Sequence, residues 1–392
     1  MTSSSSLHGY QDAVDYFNNI PDSILPEIFK TLPVKSLLTC MCVQKSWYNF
    51  IRTPFFIKIH LNYNPKPNSL LFESIFTFEL LLRYDNQHCR EFHKLKLPAC
   101  IPLSTKWYAT SYGLICFSFI FNNWHIANYT VNTYLFNPLI RKYKTLPDLP
   151  TLSSSISASN KGSVFLAFGY VPRINDYRVV KIVNHYDANK IPFFTSFVYS
   201  LSTNSWTTKT VLDDIFTSIC DFSESVFVNG LAYWRTQTKK NNAETLLCFD
   251  AVNYILRNIP LPKVECCRFS LQQLGQSVAY FAEDPDFTDI NMWILRGDPM
   301  KDFFWEEDIR TEVFGIRSNG KLYKLNGELS ELDEGDLVSY TCKDNEVKDS
   351  VGLCNCRPLI GMDRKDMHDN LFEQSLFIVR PFVEGLVLLD AD

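Results

Sequence analysis

The chain has 392 residues, of which 46% are apolar and 21% charged, and a formal net charge of −5. That length exceeds what one hydrophobic core serves, so more than one structural unit is expected, and the composition excludes a chain that is disordered throughout. The negative balance argues against general binding to nucleic acid or to an anionic membrane. Aromatic residues reach 15%, with 31 Phe and 19 Tyr, which favours pleated, half-buried surfaces over helical bundles.

Residues 1–15 read as a disordered tail. Its start, MTSSSSLHGY, has neither a basic region nor an apolar core and does not resemble a signal peptide. The longest apolar run, about Leu114 to Phe121, is far short of the ~20 residues that span a bilayer. The expectation is a cytoplasmic chain, with the nucleus as a second compartment, and reduced cysteines.

Residues 16–60 carry helical spacing. Ile24, Leu25 and Ile28 repeat at intervals of three and four, as do Val34, Leu37, Leu38 and Met41, and then Trp47, Phe50 and Ile51. Asp22 or Ser23 would cap the first of three helices, with Pro26 in its first turn. Leu32-Pro33 would end that helix and start the second, and Pro54 would stop the third. So few residues cannot bury all these apolar side chains among themselves, so the segment needs a partner surface.

After residue 60 the pattern changes to short apolar or alternating runs separated by turns: Gly113 to Phe119, Val164 to Val171, Arg178 to Val183, Thr195 to Leu201, Ser225 to Trp234 and Leu246 to Phe249. Residues 61–392 therefore read as an all-β domain, and it repeats itself. SYGLICF, YLFNP and TLP recur as NGLAYW, LLCFD and IPLP. The second halves of the unit, at Phe136, Tyr199, Phe249 and Trp293, lie 63, 50 and 44 residues apart. Small sheets repeated at that period suggest propeller blades, with room for about seven.

These residues resemble a known family. Ile20-Pro21, Ile24-Leu25, Ile28, Leu32-Pro33, Ser36-Leu37 and Lys45-Ser46-Trp47 match, in order and spacing, the F-box. FNPLIRKYKTLP, AFGYVPRINDYRVVKIV, VYSLSTNSW, FVNGLAYW, CFDAVNYILRNIPLP and FVEGLVLLD resemble the F-box-associated, kelch-like domain of plant F-box proteins, although the paired glycines of true kelch repeats are absent. The chain is similar to the branch that includes the pollen S-locus F-box proteins. The fold class implied is multidomain, α plus all-β: a three-helix F-box over 16–60, then a kelch-like β-propeller over 61–392.

The resemblance implies that the helical segment docks on a Skp-type adaptor, and through it on a cullin, a RING subunit and a ubiquitin-conjugating enzyme. The residues it implies for that contact are Ile20, Pro21, Ile24, Leu25, Ile28, Leu32, Pro33, Val34, Leu37, Leu38 and Trp47, with about half of them, Trp47 above all, candidates for the segment's own core. Five Lys or Arg against two acids in 16–60 would suit an acidic adaptor.

A protein substrate would be held by the β domain, through loops on a rigid scaffold. Candidate loops are Tyr84 to Lys94, Phe121 to Thr130, Asn184 to Pro192 and Thr236 to Glu244. Two later stretches are acidic, with ten acids and three bases from Glu283 to Glu312 and eight acids and two bases from Gly327 to Ser350. They read as solvated loops or as a negative rim, through Asp284, Asp286, Glu306 and Glu307, that attracts a basic substrate. The S-locus relatives recognise basic pistil ribonucleases.

Direct catalysis finds little footing. The seven His show no HExxH or metal-ligand spacing, and GxSxG, P-loop and GxGxxG motifs are absent. The cysteine pairs Cys40/Cys42, Cys266/Cys267 and Cys354/Cys356 lack CxxC spacing. No metal, cofactor or catalytic residue is expected. A non-degradative binding scaffold, and a propeller enzyme or lectin-like binder, are the competing functions.

Overall fold

The computed structural model describes residues 24–63, 69–74, 80–84, 92–101, 106–118, 132–150, 164–186, 192–211, 218–219, 225–237, 244–264, 268–274, 276–283, 290–310, 315–316, 321–326, 336–341, 347–352 and 377–388. Among them are four α-helices: α1 (Leu25–Phe29), α2 (Val34–Met41), α3 (Lys45–Ile51) and α4 (Pro54–Tyr63). Pro26 sits in the first turn of α1, and Pro33, with extended ψ, is the residue from which α2 starts. Pro54 does not merely stop α3. It opens a fourth helix that periodicity over 16–60 did not separate, because a proline at the first helical position lacks only an N–H that would have had no intrahelical partner.

The described strands form six antiparallel sheets. Blade 2 is β4 (Lys106–Ser111), β5 (Leu114–Ser118), β6 (Thr133–Asn137) and β7 (Lys142–Thr145). Blade 3 is β8 (Val164–Val171), β9 (Asp176–Tyr186), β10 (Pro192–Ser200) and β11 (Ser205–Val211). In blade 4 the first position is shared by β12 (Ser218–Ile219) and β13 (Val226–Val228), both paired with β14 (Leu231–Gln237), followed by β15 (Glu244–Asp250) and β16 (Ile255–Pro260). Blade 5 is β17 (Arg268–Leu274), β18 (Ser277–Glu283), β19 (Ile290–Gly297) and β20 (Phe303–Arg310). Blade 6 is β21 (Gly315–Ile316), β22 (Lys321–Asn326), β23 (Asp336–Thr341) and β24 (Val347–Gly352).

Blade 1 is built from both ends of the chain. Its second to fourth strands are β1 (Ser69–Ser74), β2 (Leu80–Tyr84) and β3 (Phe92–Lys94), and its first is β25 (Phe377–Phe382), paired antiparallel with β1 from Ser69↔Phe382 to Ser74↔Phe377. The innermost strands neighbour one another in the order β25, β4, β8, β13, β17, β21 and back to β25. Among the described residues the ring is therefore closed, with six blades rather than about seven. The sequence repeat corresponds to the blades, since Phe136, Tyr199, Phe249 and Trp293 are all on third strands. The count came out high because β9, β10 and the connections between strands are longer than in an average unit.

Apolar runs such as LICF and LLCF, rather than strict alternation, follow from burial on both faces of a blade. Leu114 and Cys116 face the core between blades 2 and 3, while Ile115 and Phe117 face that between blades 1 and 2. Leu246 and Cys248 likewise face blade 5, and Leu247 and Phe249 face blade 3. Cys116 and Cys248 behave as small apolar residues, with burial pushing each thiol up to about 12. Trp206 Nε1 donates to the Pro147 carbonyl at 2.7 Å, and Trp305 Nε1 to the Pro260 carbonyl at 2.8 Å, each tying the outermost strand of one blade to the end of the preceding one.

One face of the ring carries tight turns. Tyr112-Gly113 and Asn229-Gly230 join first to second strands with positive φ at both residues (41° and 86°; 54° and 88°), the conformation of a two-residue hairpin. Third and fourth strands are joined by four-residue turns, 138–141, 201–204 and 251–254, each ending on a left-handed residue: Arg141, Asn204 and Tyr254. The residue before each turn caps it. Asn137 Oδ1 accepts from Leu139 and Ile140, Asp250 Oδ1 from Val252 and Asn253, and Ser200 Oγ from Thr203. The helices sit on this face, against Leu139 and Ile140 of the 138–141 turn.

Candidate functional site

Phe29, Val34, Leu37, Trp47, Ile51 and Phe56 form the interior of the helical segment, completed by Leu386 from beyond the last strand. Phe29 meets Trp47 edge-on at 5.1 Å and Phe56 at 6.3 Å, separations at which aromatic rings attract. Buried His60 in α4 has Nε2 at 2.9 Å from the Leu32 carbonyl, so the proton sits on Nε2 and donates; Nδ1 is buried without a partner. Burial lowers the His60 pKa, against a weaker opposing pull from that hydrogen bond.

Of the residues expected at an adaptor interface, Ile20 and Pro21 lie outside the described residues. Ile24 and Ile28, one turn apart, are exposed by 47% and 40%, Pro33 is exposed, and Leu25, Leu32 and Leu38 are half-buried. Val34, Leu37 and Trp47 are inside the core. Their spacing is that of core positions, and in this arrangement a partner cannot reach them. The surface includes apolar side chains that the sequence reading did not select, Val43 (66% exposed), Phe55 (65%) and Tyr48. The same segment also exposes Lys35, Lys45 and Lys58, and the Arg52 guanidinium lies over the Tyr48 ring at 5.1 Å.

Asp284 and Asp286, expected at a substrate rim, lie outside the described residues, between the end of β18 and the start of β19. Glu306 and Glu307 are exposed on β20, the outermost strand of blade 5, opposite Ile294 and Trp293. Glu306 accepts from Arg296 Nε at 2.6 Å in the same sheet, so part of its charge is matched locally. Phe121 to Thr130 lies outside the described residues, as do most of Asn184 to Pro192 and Thr236 to Glu244. The strands flanking these three segments, and those flanking Asp284 and Asp286, are the second and third strands of blades 2 to 5. Their adjoining ends all lie on the face opposite the helices. Most of Tyr84 to Lys94 also lies outside the described residues; its flanking strands are instead the third and fourth of blade 1, and their adjoining ends lie on the helical side.

The part of the site that sequence reasoning missed is the strap after β25. Glu384 is buried, and its Oε2 accepts from the Val34 N–H at the start of α2, 3.2 Å away. A carboxylate there meets unpaired N–H groups and the positive end of the helix dipole. Asn137 Nδ2 donates to the Gly385 and Val387 carbonyls at 2.8 and 2.9 Å. Gly385 lies back-to-back with Gly113: a Cβ on Gly385 would fall 2.8 Å from the Tyr112 carbonyl oxygen, and one on Gly113 2.7 Å from the Gly385 Cα. Leu386 then enters the helical core, while Val387 and Leu388 join Leu61 of α4 in the core between blades 2 and 3. A local signal existed: Asn137 stands where the other repeats have Ser200 and Asp250, and a carboxylate could not donate.

Residues 17–58 match the F-box domain, and residues 70–317, well over half of the chain, match the F-box associated beta propeller domain. The chain belongs to that family. F-box-named proteins of Arabidopsis thaliana are similar to it. They include At4g38870, 25% identical over 70% of this chain and 65% of that one, and the F-box/kelch-repeat protein At3g23880, 26% identical over 64% and 67%. The F-box protein CPR1 is 30% identical over 48% of this chain and 44% of its own length. The chain thus spans less than two thirds of the length of At4g38870 and of CPR1. Among the described residues, no helix is long and apolar enough to cross a membrane, and no group of three His, Cys, Asp or Glu could hold a metal ion.

Proposed function

We propose that this F-box protein is the substrate-recognition subunit of a Skp–cullin–F-box ubiquitin ligase, working in the cytoplasm or nucleus. The observation that carries the reading is the set of exposed apolar side chains on the helical segment, Ile24, Ile28, Val43, Tyr48 and Phe55, together with the exposed Lys35, Lys45 and Lys58 of the same segment. Apolar anchors on a segment with an excess of basic residues suit an acidic adaptor. In this role the chain does no bond chemistry. It holds a substrate lysine near an activated ubiquitin, turning a bimolecular encounter into a nearly unimolecular one.

The substrate would be gripped on the face opposite the helices, where the second-to-third-strand ends of four successive blades converge. A basic protein, such as a pistil ribonuclease, is the finer form of the proposal. It rests on the acidic balance of 283–312 and on Asp284 and Asp286 more than on Glu306, which already pairs with Arg296.

Co-expression with a plant Skp-type adaptor and size-exclusion chromatography tests the first step. The wild-type chain should co-elute, and Ile24→Lys with Ile28→Lys should not, while its circular dichroism is unchanged. Separate elution of the wild-type chain would reject the reading.

A further inference from the structure

The seven residues 382–388 link three parts of the molecule. Phe382 closes blade 1 and is buried in the core between blades 1 and 2. Two residues on, Glu384 reaches the first N–H of α2, and Leu386 fills the helical core. Between and beyond them, the Gly385 and Val387 carbonyls are held by Asn137, and Val387 and Leu388 are buried between blades 2 and 3. The strap can take this path only after β25 has paired with β1, since Ser69↔Phe382 is the pair from which it departs. Without the strap, α2 loses the carboxylate at its start, and Phe29, Leu37, Trp47 and Phe56 lose the Leu386 side chain that completes their core.

We infer that residues 382–388 make order in the adaptor-binding helices conditional on closure of the ring. β25, which closes blade 1, follows every other described strand in chain order, so a chain whose ring is not yet closed presents helices that are not yet fixed. Glu384, Gly385 and Asn137 are positioning residues in this device. It deepens the ligase reading, because a subunit able to recruit the adaptor before its substrate-holding face exists would occupy the ligase unproductively. Coupling of this kind is reciprocal: a ligand that holds the helices must also favour the closed ring.

The test uses the full chain and needs no adaptor. Glu384→Ala removes the carboxylate at α2. Gly385→Ala touches only the ring side, where its Cβ would press on the Tyr112 carbonyl at 2.8 Å and lift the strap. In hydrogen-exchange mass spectrometry both variants should exchange about tenfold faster over 34–51, the effect of losing one charge-assisted contact on local opening, while 244–260 in blade 4 stays as in wild type. Unchanged protection over 34–51 in both variants overturns the inference. So does equal acceleration in blade 4, which would make the strap a general stability element. Failure of the ligase reading would show differently, as a wild-type chain with ordered, strap-dependent helices that binds no adaptor.

Discussion

Asn137→Ala deletes one small side chain and should be among the most damaging single changes in the ring. Its Nδ2 is the donor to two buried carbonyls, of Gly385 and Val387, and its Oδ1 accepts from Leu139 and Ile140. Each buried polar group left without its partner costs about 1–3 kcal/mol. Counting only the two carbonyls, the loss is about 2–6 kcal/mol, a large share of the ~5–15 kcal/mol that a folded protein typically holds. Asn137→Asp keeps the acceptor that caps the turn but aims a carboxylate at two carbonyl oxygens, so it should be at least as harmful. Guanidinium unfolding followed by tryptophan fluorescence reads both, and the order expected is wild type, then Ala, with Asp equal or lower. An Asn137→Ala midpoint within error of wild type, or an Asp variant as stable as wild type, would refute the assignment of the strap to these donors.

The helical segment should weaken in acid. The fold holds His60 neutral with a lowered pKa, whereas the unfolded chain titrates near ~6.5. Unfolded chains therefore take up the proton first, and stability is lost as pH falls from that value toward the folded pKa. Thermal melts at pH 7.5, 6.0 and 5.0 should show this, and His60→Gln should flatten it. Trp206→Phe and Trp305→Phe should each cost about 1 kcal/mol, additively, because each removes one bond at a different blade joint. Lys181, buried in β9 with its ammonium 5.1 Å over the Trp206 ring, has a pKa pulled down to about 8 by burial. Wild type should gain stability from pH 8 to 10, where the unfolded chain keeps a proton the fold has released, and Lys181→Met should lose that dependence without loss of stability at pH 7.

Periodicity made the large features legible. The change from helical to strand spacing near residue 60 and the recurring YG/NG and FN/FD signals report local geometry: a hairpin that needs positive φ, and a turn that needs a side-chain cap. The apolar run Val164 to Val171 coincides with the strand β8. What stayed hidden depends on residues far apart in the chain. The same helical spacing describes Leu37, which is buried, and Ile28, which is exposed, because the ring and Leu386 decide which side is covered. Nothing near Glu384 in the sequence points to Val34, 350 residues away. For the same reason the boundary near residue 60 is less clean than the change of period suggests: α4 runs through it, with Phe56 in the helical core and Leu61 in the ring's.

Protein half-life in plant cells is the most direct test of the receptor role. Proteins bound by the ring should associate equally with wild type and with the Ile24→Lys, Ile28→Lys variant, whose β domain is untouched. Expressing that variant in place of wild type should lengthen the half-lives of those bound proteins, as should inhibition of the cullin. Bound proteins that turn over at the same rate with either form would contradict the receptor account and leave a binding scaffold in its place.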